Sequence, residues 1–449
     1  MGQVVSEQRL RKSTATETPP SRRGPVVVMV LCWLAVCFDG IDTFMYGATI
    51  PPMTEDTNLD MSSSLAGDIG SYATFGMLIG ALTVGMLTDV IGRRWGIISC
   101  TVVFSVFSAV CAIAPNAMIF GIGRTLAGVG LGGLLPTAIS MVSEYSPGGS
   151  RNFSIGLLMS AHQVGGILAS LLGIWLLPAL GWRSMYWVGV LPLIVLVPLI
   201  LKYMPESLAF LQAKGRHREA EETGRQLGVA MPEVSSSSAT GSVGTSLVKL
   251  FTGRNIATTL FFWCASFGGL LLVYGLSNWL PSLMMSEGFA LGSSLSFLLV
   301  VNLGGVFGML TAGRLSDSLG PVRVAMIWFF VTALMLLLLS VKAPVIVTYT
   351  IIFVAGFFLF SSQTMVYAAV AHVFPTSMRA TAIGWTTGMG RFGAVFGPWL
   401  GGQLFAAGLE SWGFSVFAAF AVSSMIFLGF VALSTRANSG KAVDVRRNT

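Results

Sequence analysis

"GMLTDVIGRR", residues 85–94, has a degenerate copy later in the chain, "AGRLSDSLGPVR" at 312–323. Gly85, Asp89 and Gly92 fall on Gly313, Asp317 and Gly320, 228 positions on. The same offset, without a gap, carries Gly40, Tyr46 and Gly47 onto Gly268, Tyr274 and Gly275. It also carries Pro147, Arg151, Ile155 and Gly156 onto Pro375, Arg379, Ile383 and Gly384, and Gly165 and Gly173 onto Gly393 and Gly401. One offset holding over so much of the chain marks an internal duplication.

The duplicated unit is made for lipid. Only 10% of the residues are charged and the mean hydropathy is +0.77, whereas soluble domains carry about 25% charged residues. Apolar runs long enough to cross a bilayer as helices recur throughout. The reading is an all-α polytopic membrane protein with twelve spans. They lie near 25–50, 67–88, 96–114, 118–141, 153–177, 183–203, 255–283, 291–312, 322–341, 346–372, 381–406 and 412–434. The polar stretch 204–254, with "SSSSATGS" at 235–242, divides them six and six and reads as a linker with short helices near 207–227. An even number of spans returns the chain to the same side, so the copies share one orientation: two pseudo-symmetric six-helix bundles, 24–203 and 255–434, with tails 1–23 and 435–449. The apolar run behind the basic N-terminus is too long for a signal-peptide core and reads as the first span.

The net charge of +7 raises nucleic acid as a partner, but its distribution argues for a membrane instead. Of the 26 Lys and Arg, 22 fall on the face that holds both termini. Only Arg183 and Lys342 fall on the opposite face, and Arg124 and Arg391 lie inside spans. That bias predicts cytoplasmic termini and a place in the cell (inner) membrane. The five cysteines lack metal-ligand or disulfide spacing and read as small hydrophobes. No metal, cofactor or catalytic constellation is expected. Without a phosphate-binding loop the energy source is a gradient.

Where the repeat fails, function is expected, because an architectural need would recur in both halves. Asp39 and Asp42 correspond to Phe267 and Leu270, Arg124 to Ile352, Arg391 to Gln163 and Glu144 to His372. Asp39 and Asp42 stand at i and i+3 and share a face of span 1 with Thr43 and Tyr46. Two carboxylates so close inside a membrane cannot both be charged at low cost, so one of the pair, Asp39 or Asp42, is expected to carry the proton. A buried guanidinium needs a partner, and Arg124 lies at the depth of Asp42, so it pairs with Asp39 or Asp42. Arg391, in span 11, has no acid in its own half at that depth. It is expected to hold a substrate carboxylate, or to pair across the cavity with one of the aspartates. Tyr46, Tyr274, Tyr367, Trp385, Gln163, Gln363, Asn278 and His162 fall at depths that make them candidates to line a substrate pocket. At the basic face, Asp89, Arg93, Arg94, Glu144, Arg151, Asp317 and Arg379 are expected to form a gate.

These stretches carry a family resemblance. "GMLTDVIGRR", its copy at 312–323, "GRTLAGVGLGG" (123–133) and "MPESLAFL" (204–211) resemble signatures of the major facilitator superfamily. "DGID" (39–42) and "FPTSMRATAIGWTTGMGRFGAVFGPWLGG" (374–402) are similar to motifs of its aromatic acid:proton symporter family. The resemblance implies import of benzoate- or hydroxybenzoate-type acids (gentisate, 3- or 4-hydroxybenzoate, protocatechuate or benzoate) with protons, by alternating access at a site between the halves. It also implies a proton-coupling part for Arg124. The partners implied are protons, one aromatic carboxylate and the bilayer, with no nucleic acid and a functional monomer. A proton-coupled exporter of amphipathic compounds is the alternative.

Overall fold

The computed structural model describes residues 23–146, 151–227, 250–252 and 255–447. Every regular element in it is helical. Spans 1 to 5 are the helices Arg23–Thr54, Ser63–Ile91, Arg93–Ile113, Ala117–Tyr145 and Arg151–Leu180. Span 6 is broken into Arg183–Val188, Leu191–Ile194 and Leu196–Tyr203. Pro192 interrupts the backbone ladder there. Two short helices follow in the linker, Leu208–Ala213 and His217–Leu227, where the sequence placed them. Spans 7 to 12 are Asn255–Ser286, Leu291–Leu319, Pro321–Leu339, Val345–Val373, Thr376–Ala406 and Gly413–Arg447. Most extend a turn or more beyond their apolar runs, because helices continue into the interface where the sequence turns polar.

Eleven of these are long and apolar enough to cross a membrane. The twelfth, Thr376–Ala406, owes its lower hydropathy to Arg391 and its glycines and threonines, the composition of a helix that faces a polar interior.

The packing repeats with the sequence. In the first half span 1 packs on span 5, and spans 2 and 3 on span 4. In the second, span 7 packs on span 11, and spans 8 and 9 on span 10. Between the halves span 2 meets span 11, span 5 meets span 8, and span 1 meets span 7. The contacts are backbone-close because glycine lets them be. A Cβ on Gly67 would stand 2.8 Å from the Cα of Gly402. Beside it, the Ser71 hydroxyl donates to the Val395 carbonyl across the seam at 2.7 Å.

All of this closure is at the face away from the basic residues. At the basic end of the same helices, Gly85, Gly156, Gly313 and Gly384 meet open space. The halves are therefore sealed at one face and parted at the other.

Candidate functional site

Two arginines lie inside the bundle, and their surroundings differ. Arg124 is 3% exposed and donates to the Asp42 carboxylate at 2.7 Å, with Asp42 1% exposed. The Ser108 hydroxyl approaches the other Asp42 oxygen at 3.4 Å. The guanidinium sits over the Tyr46 ring at 5.2 Å and the Tyr186 ring at 5.9 Å. Tyr46 donates to the Ala66 carbonyl at 2.6 Å, and Tyr186 meets the Thr49 hydroxyl at 3.0 Å. This is a sealed cage, with the charge matched and aromatic faces around the cation. Spans 1, 3, 4 and 6 supply it. The sequence left open which aspartate pairs with Arg124; the structure gives it Asp42.

Arg391 is half-buried and, among the described residues, donates only to the Tyr274 hydroxyl, at 3.3 Å. Among the described residues no carboxylate lies within 4.0 Å of it. Tyr367, Asp39 and His162 stand close enough to act on it electrostatically. Asp39 is 5% exposed and makes no hydrogen bond or ion pair with a described residue. Nδ1 of His162, Oε1 of Gln163 and Oγ1 of Thr43 are buried without partners. Phe44 packs edge-on to the His162 ring at 5.4 Å and to Phe360 at 6.0 Å. Spans 1, 5, 7, 10 and 11 thus bring one unmatched cation, one unmatched acid, two tyrosines and several idle polar atoms to one centre. Chemically, this is a place for a small planar anion with an apolar body.

The other expected pocket residues are committed elsewhere. Tyr46 belongs to the Arg124 cage. Asn278 lies in the closed seam, with its amide nitrogen 3.3 Å from where a Cβ of Gly70 would stand. The Gln363 amide donates to Ser266 at 2.9 Å, though its Oε1 stays free. Trp385 stacks on Trp263, centroids 5.7 Å apart, on the basic side of Arg391. Their position along the sequence could not give their rotation about the helix axis.

At the basic face, Arg93 pairs with Glu144, and both bond to the Ser207 hydroxyl, Arg93 at 2.8 Å and Glu144 at 2.7 Å. The backbone N–H of Arg94 donates to Glu206 at 3.0 Å, and its side chain donates to the Leu201 carbonyl. This network ties span 3 to the segment after span 6, all within the first half. Asp89 and Asp317 are exposed and pair with no described residue, and Nε of Arg379 has no partner. The Arg151 side chain lies outside the described residues. Among the described residues Asp89 and Asp317 bridge nothing, at a face where the halves stand apart. Glu206, Ser207, Ser108, Thr49 and Tyr186 were missed as site residues. Glu206 alone was signalled, being an acid in "MPES" beside a basic turn.

Among the described residues no three His, Cys, Asp or Glu side chains converge on a metal-sized site. Known proteins agree with this architecture. The family model described as Major Facilitator Superfamily matches residues 32–398 and again 299–447. The benzoate transport protein of Acinetobacter baylyi is 36% identical over 392 residues, covering 84% of this chain and 83% of the relative. The gentisate transporter of Corynebacterium glutamicum is 34% identical over 416 residues, covering 90% and 88%. In fold, the chain superposes on the xylose transporter XylE of E. coli in a partially occluded inward-open conformation. The TM-score is 0.73 at 17% identity, over 90% of this chain and 97% of that one. The duplicated helices, the match over most of the chain and these relatives agree that the chain belongs to the major facilitator superfamily of transporters.

Proposed function

We propose that this protein imports an aromatic carboxylic acid of the benzoate or hydroxybenzoate type together with a proton. The observation that carries the reading is Arg391, a guanidinium inside the bundle whose one described partner is a tyrosine hydroxyl. Curated relatives named for benzoate and gentisate support the substrate class. A carboxylate on Arg391 gains two parallel charge-assisted bonds and releases the weaker tyrosine contact. The ring then lies among Tyr274, Tyr367 and Phe44, with Gln163 and His162 free to read hydroxyls.

The two aspartates divide the work. Asp42 is held by Arg124 and keeps that cage charged and closed. Asp39 has no such partner and shares the cavity with Arg391, so it is the exchangeable acid. With Asp39 charged, Arg391 is partly satisfied across the cavity. A substrate anion that takes Arg391 leaves Asp39 uncompensated and favours its protonation. That exchange couples the fluxes without a covalent step.

The halves 24–203 and 255–434 rock about this centre. The present form is open at the basic face, which positive-inside bias makes cytoplasmic. Asp89 and Asp317 meet Arg379 and Arg151 when that face closes, while the Arg93–Glu144–Ser207 ties keep the first half rigid. The protein works as a monomer in the cytoplasmic membrane.

The test uses purified protein in liposomes with an inside-alkaline gradient. Labelled benzoate and hydroxybenzoates accumulate, and a protonophore abolishes this. Arg391→Ala and Asp39→Asn each lose accumulation, and Asp39→Asn retains substrate exchange without a gradient. Accumulation only under an inside-acid gradient would point to proton-coupled export, and no transport of any aromatic acid by folded protein would overturn the reading.

A further inference from the structure

The counterpart of Arg391 at the 228 offset is Gln163. Parallel halves are related by an axis along the membrane normal, so the two side chains rise from opposite walls of the cavity at the same depth. The walls differ in chemistry. Arg391 offers donors and no acceptor, with Tyr274 beside it. Gln163 is 3% exposed and bonds to no described residue, and its Oε1 is buried without a partner. A buried carbonyl oxygen without a donor is costly, so one that persists calls for a donor that the chain itself does not supply.

The seam between spans 5 and 8 holds this amide in place. The spans run antiparallel, and each sets an amide on the other's glycine. A Cβ on Gly305 would stand 3.4 Å from Cδ of Gln163 and 2.6 Å from the Phe360 ring. One turn along the seam, a Cβ on Gly166 would collide with Oδ1 of Asn302. Asn302 is fully buried; its amide nitrogen donates to the Leu298 carbonyl at 2.8 Å, and its Oδ1 also lacks a partner. The seam is therefore short of hydrogens to accept. Beside it Phe44 and Phe360, ring centroids 6.0 Å apart, form an apolar wall. Phe44 packs on His162, the neighbour of Gln163, which is close enough to Arg391 to feel its charge.

The cavity thus offers a cation at one wall, an apolar side, and an amide in want of a donor at the opposite wall. We propose that Gln163 accepts a hydrogen bond from a ring hydroxyl of the substrate, so that the preferred acid is a benzoate with a hydroxyl remote from its carboxylate. This rests on the import reading above and narrows it. A hydroxyl next to the carboxylate, as in 2-hydroxybenzoate, bonds to that carboxylate and stays at the Arg391 end. Benzoate itself brings no donor and leaves Oε1 unanswered. A site built to bond a hydroxyl discriminates against the analogue lacking it, because the buried group is then left unpaired.

Uptake of labelled benzoate, 4-fluorobenzoate and 2-, 3- and 4-hydroxybenzoate by the full-length protein in liposomes tests this. The better of the 3- and 4-hydroxy acids half-saturates uptake at a concentration at least about tenfold below those of the other three. The fluoro acid has nearly the size of the 4-hydroxy acid without the hydrogen, so it separates a donor from a shape. Gln163→Met keeps the length, removes the acceptor and brings that ratio close to one. Gln163→Asn withdraws the amide by one methylene and lowers the ratio in the same direction. A purely structural role for Gln163 would depress uptake of every acid and leave the ratio unchanged, which would overturn the inference. So would a wild type that takes benzoate, 4-fluorobenzoate or 2-hydroxybenzoate as readily as the 3- and 4-hydroxy acids; in either case the import reading stands. No uptake of any of these acids would overturn both.

Discussion

Replacing Asp42 by Asn and replacing Asp39 by Asn are the same chemical change three residues apart, yet the two sites predict opposite outcomes. Asp42 is 1% exposed and its carboxylate is the one described acid on Arg124, which is itself 3% exposed. The amide that replaces it still accepts a hydrogen bond but no longer cancels the charge. Removing one partner of a buried pair costs on the order of 3–5 kcal/mol. The Tyr46 and Tyr186 faces, 5.2 and 5.9 Å from the guanidinium, stay in place and keep the loss toward the lower end. At Asp39 no bond or pair to a described residue is lost, so the same change costs within about 1 kcal/mol. Asp39→Asn is therefore a transport defect in a stable protein, and Asp42→Asn is a stability defect.

The protein carries its own assay. Cys32, Cys37, Cys100 and Cys111 are buried and Cys264 is exposed. In a Cys264→Ser background, a thiol-reactive dye reports unfolding across a denaturant series. The double variant Asp42→Asn with Arg124→Gln recovers up to about 3 kcal/mol relative to the sum of the singles, since the uncompensated charge is gone. Equal stability of Asp42→Asn and Asp39→Asn, or strict additivity in the cycle, would refute the reasoning.

Three further outcomes follow from separate regions. Arg391→Lys keeps the charge but loses the fork, so apparent substrate affinity in the liposome assay falls at least about tenfold, with thiol protection unchanged. Gly67→Val wedges the seam, because a Cβ there stands 2.8 Å from the Gly402 Cα and 2.9 Å from the Pro398 carbonyl oxygen; a cysteine placed at Ser71 then labels faster from the opposite face. In the loop after span 1, the Trp182 indole N–H, the Asn58 N–H and Arg183 hold the Asp56 carboxyl below its usual range, against some burial. A depressed acid stabilises the fold above its unfolded value, near about 3.9, and that contribution is lost as pH falls through the lower folded value. Thermal unfolding should thus separate wild type from Asp56→Asn at pH 7, and the gap should narrow below about pH 4.

Much of the fold was legible because lipid imposes a strong code. Twenty apolar residues can do little but span, and the ungapped offset of 228 fixed which span of one half corresponds to which span of the other. The sequence named candidate site residues but not their rotation about the helix axis. Asp39 and Asp42 share a helix face on a wheel, but the structure turns Asp42 toward spans 3 and 4 and leaves Asp39 nearer Arg391. Tyr46 sat at the right height for a ring partner, but its hydroxyl bonds the Ala66 carbonyl. Such choices depend on which neighbouring helix presents an acceptor, and no periodicity encodes that. Ser108 and Thr49 had no signal at all, since a small hydroxyl in a span reads the same whether it bonds its own backbone or an aspartate.

The repeat carries a more general argument about where to look for chemistry in a duplicated fold. Positions kept in both halves, such as Gly92 and Gly320, serve a turn that each half must make, and both have positive φ. Positions kept in one half are free of that duty. Arg124 faces Asp42, whereas Ile352 and Leu270 occupy the matching places in the other half; the halves pack alike without a charge pair there. The cage therefore adds nothing to the architecture that the second half lacks, and a buried pair is a costly way to add stability alone. The same logic runs in reverse at the basic face, where Glu206 and Glu144 complete a network whose partners recur only as a glycine turn and a cavity. The unmatched Arg391 and the absence of a carboxylate at the counterpart of Glu206 are both departures from symmetry, and both fall in the second half. Arg391 leaves a charge inside the bundle without a described counter-ion, which is why an external anion is sought there.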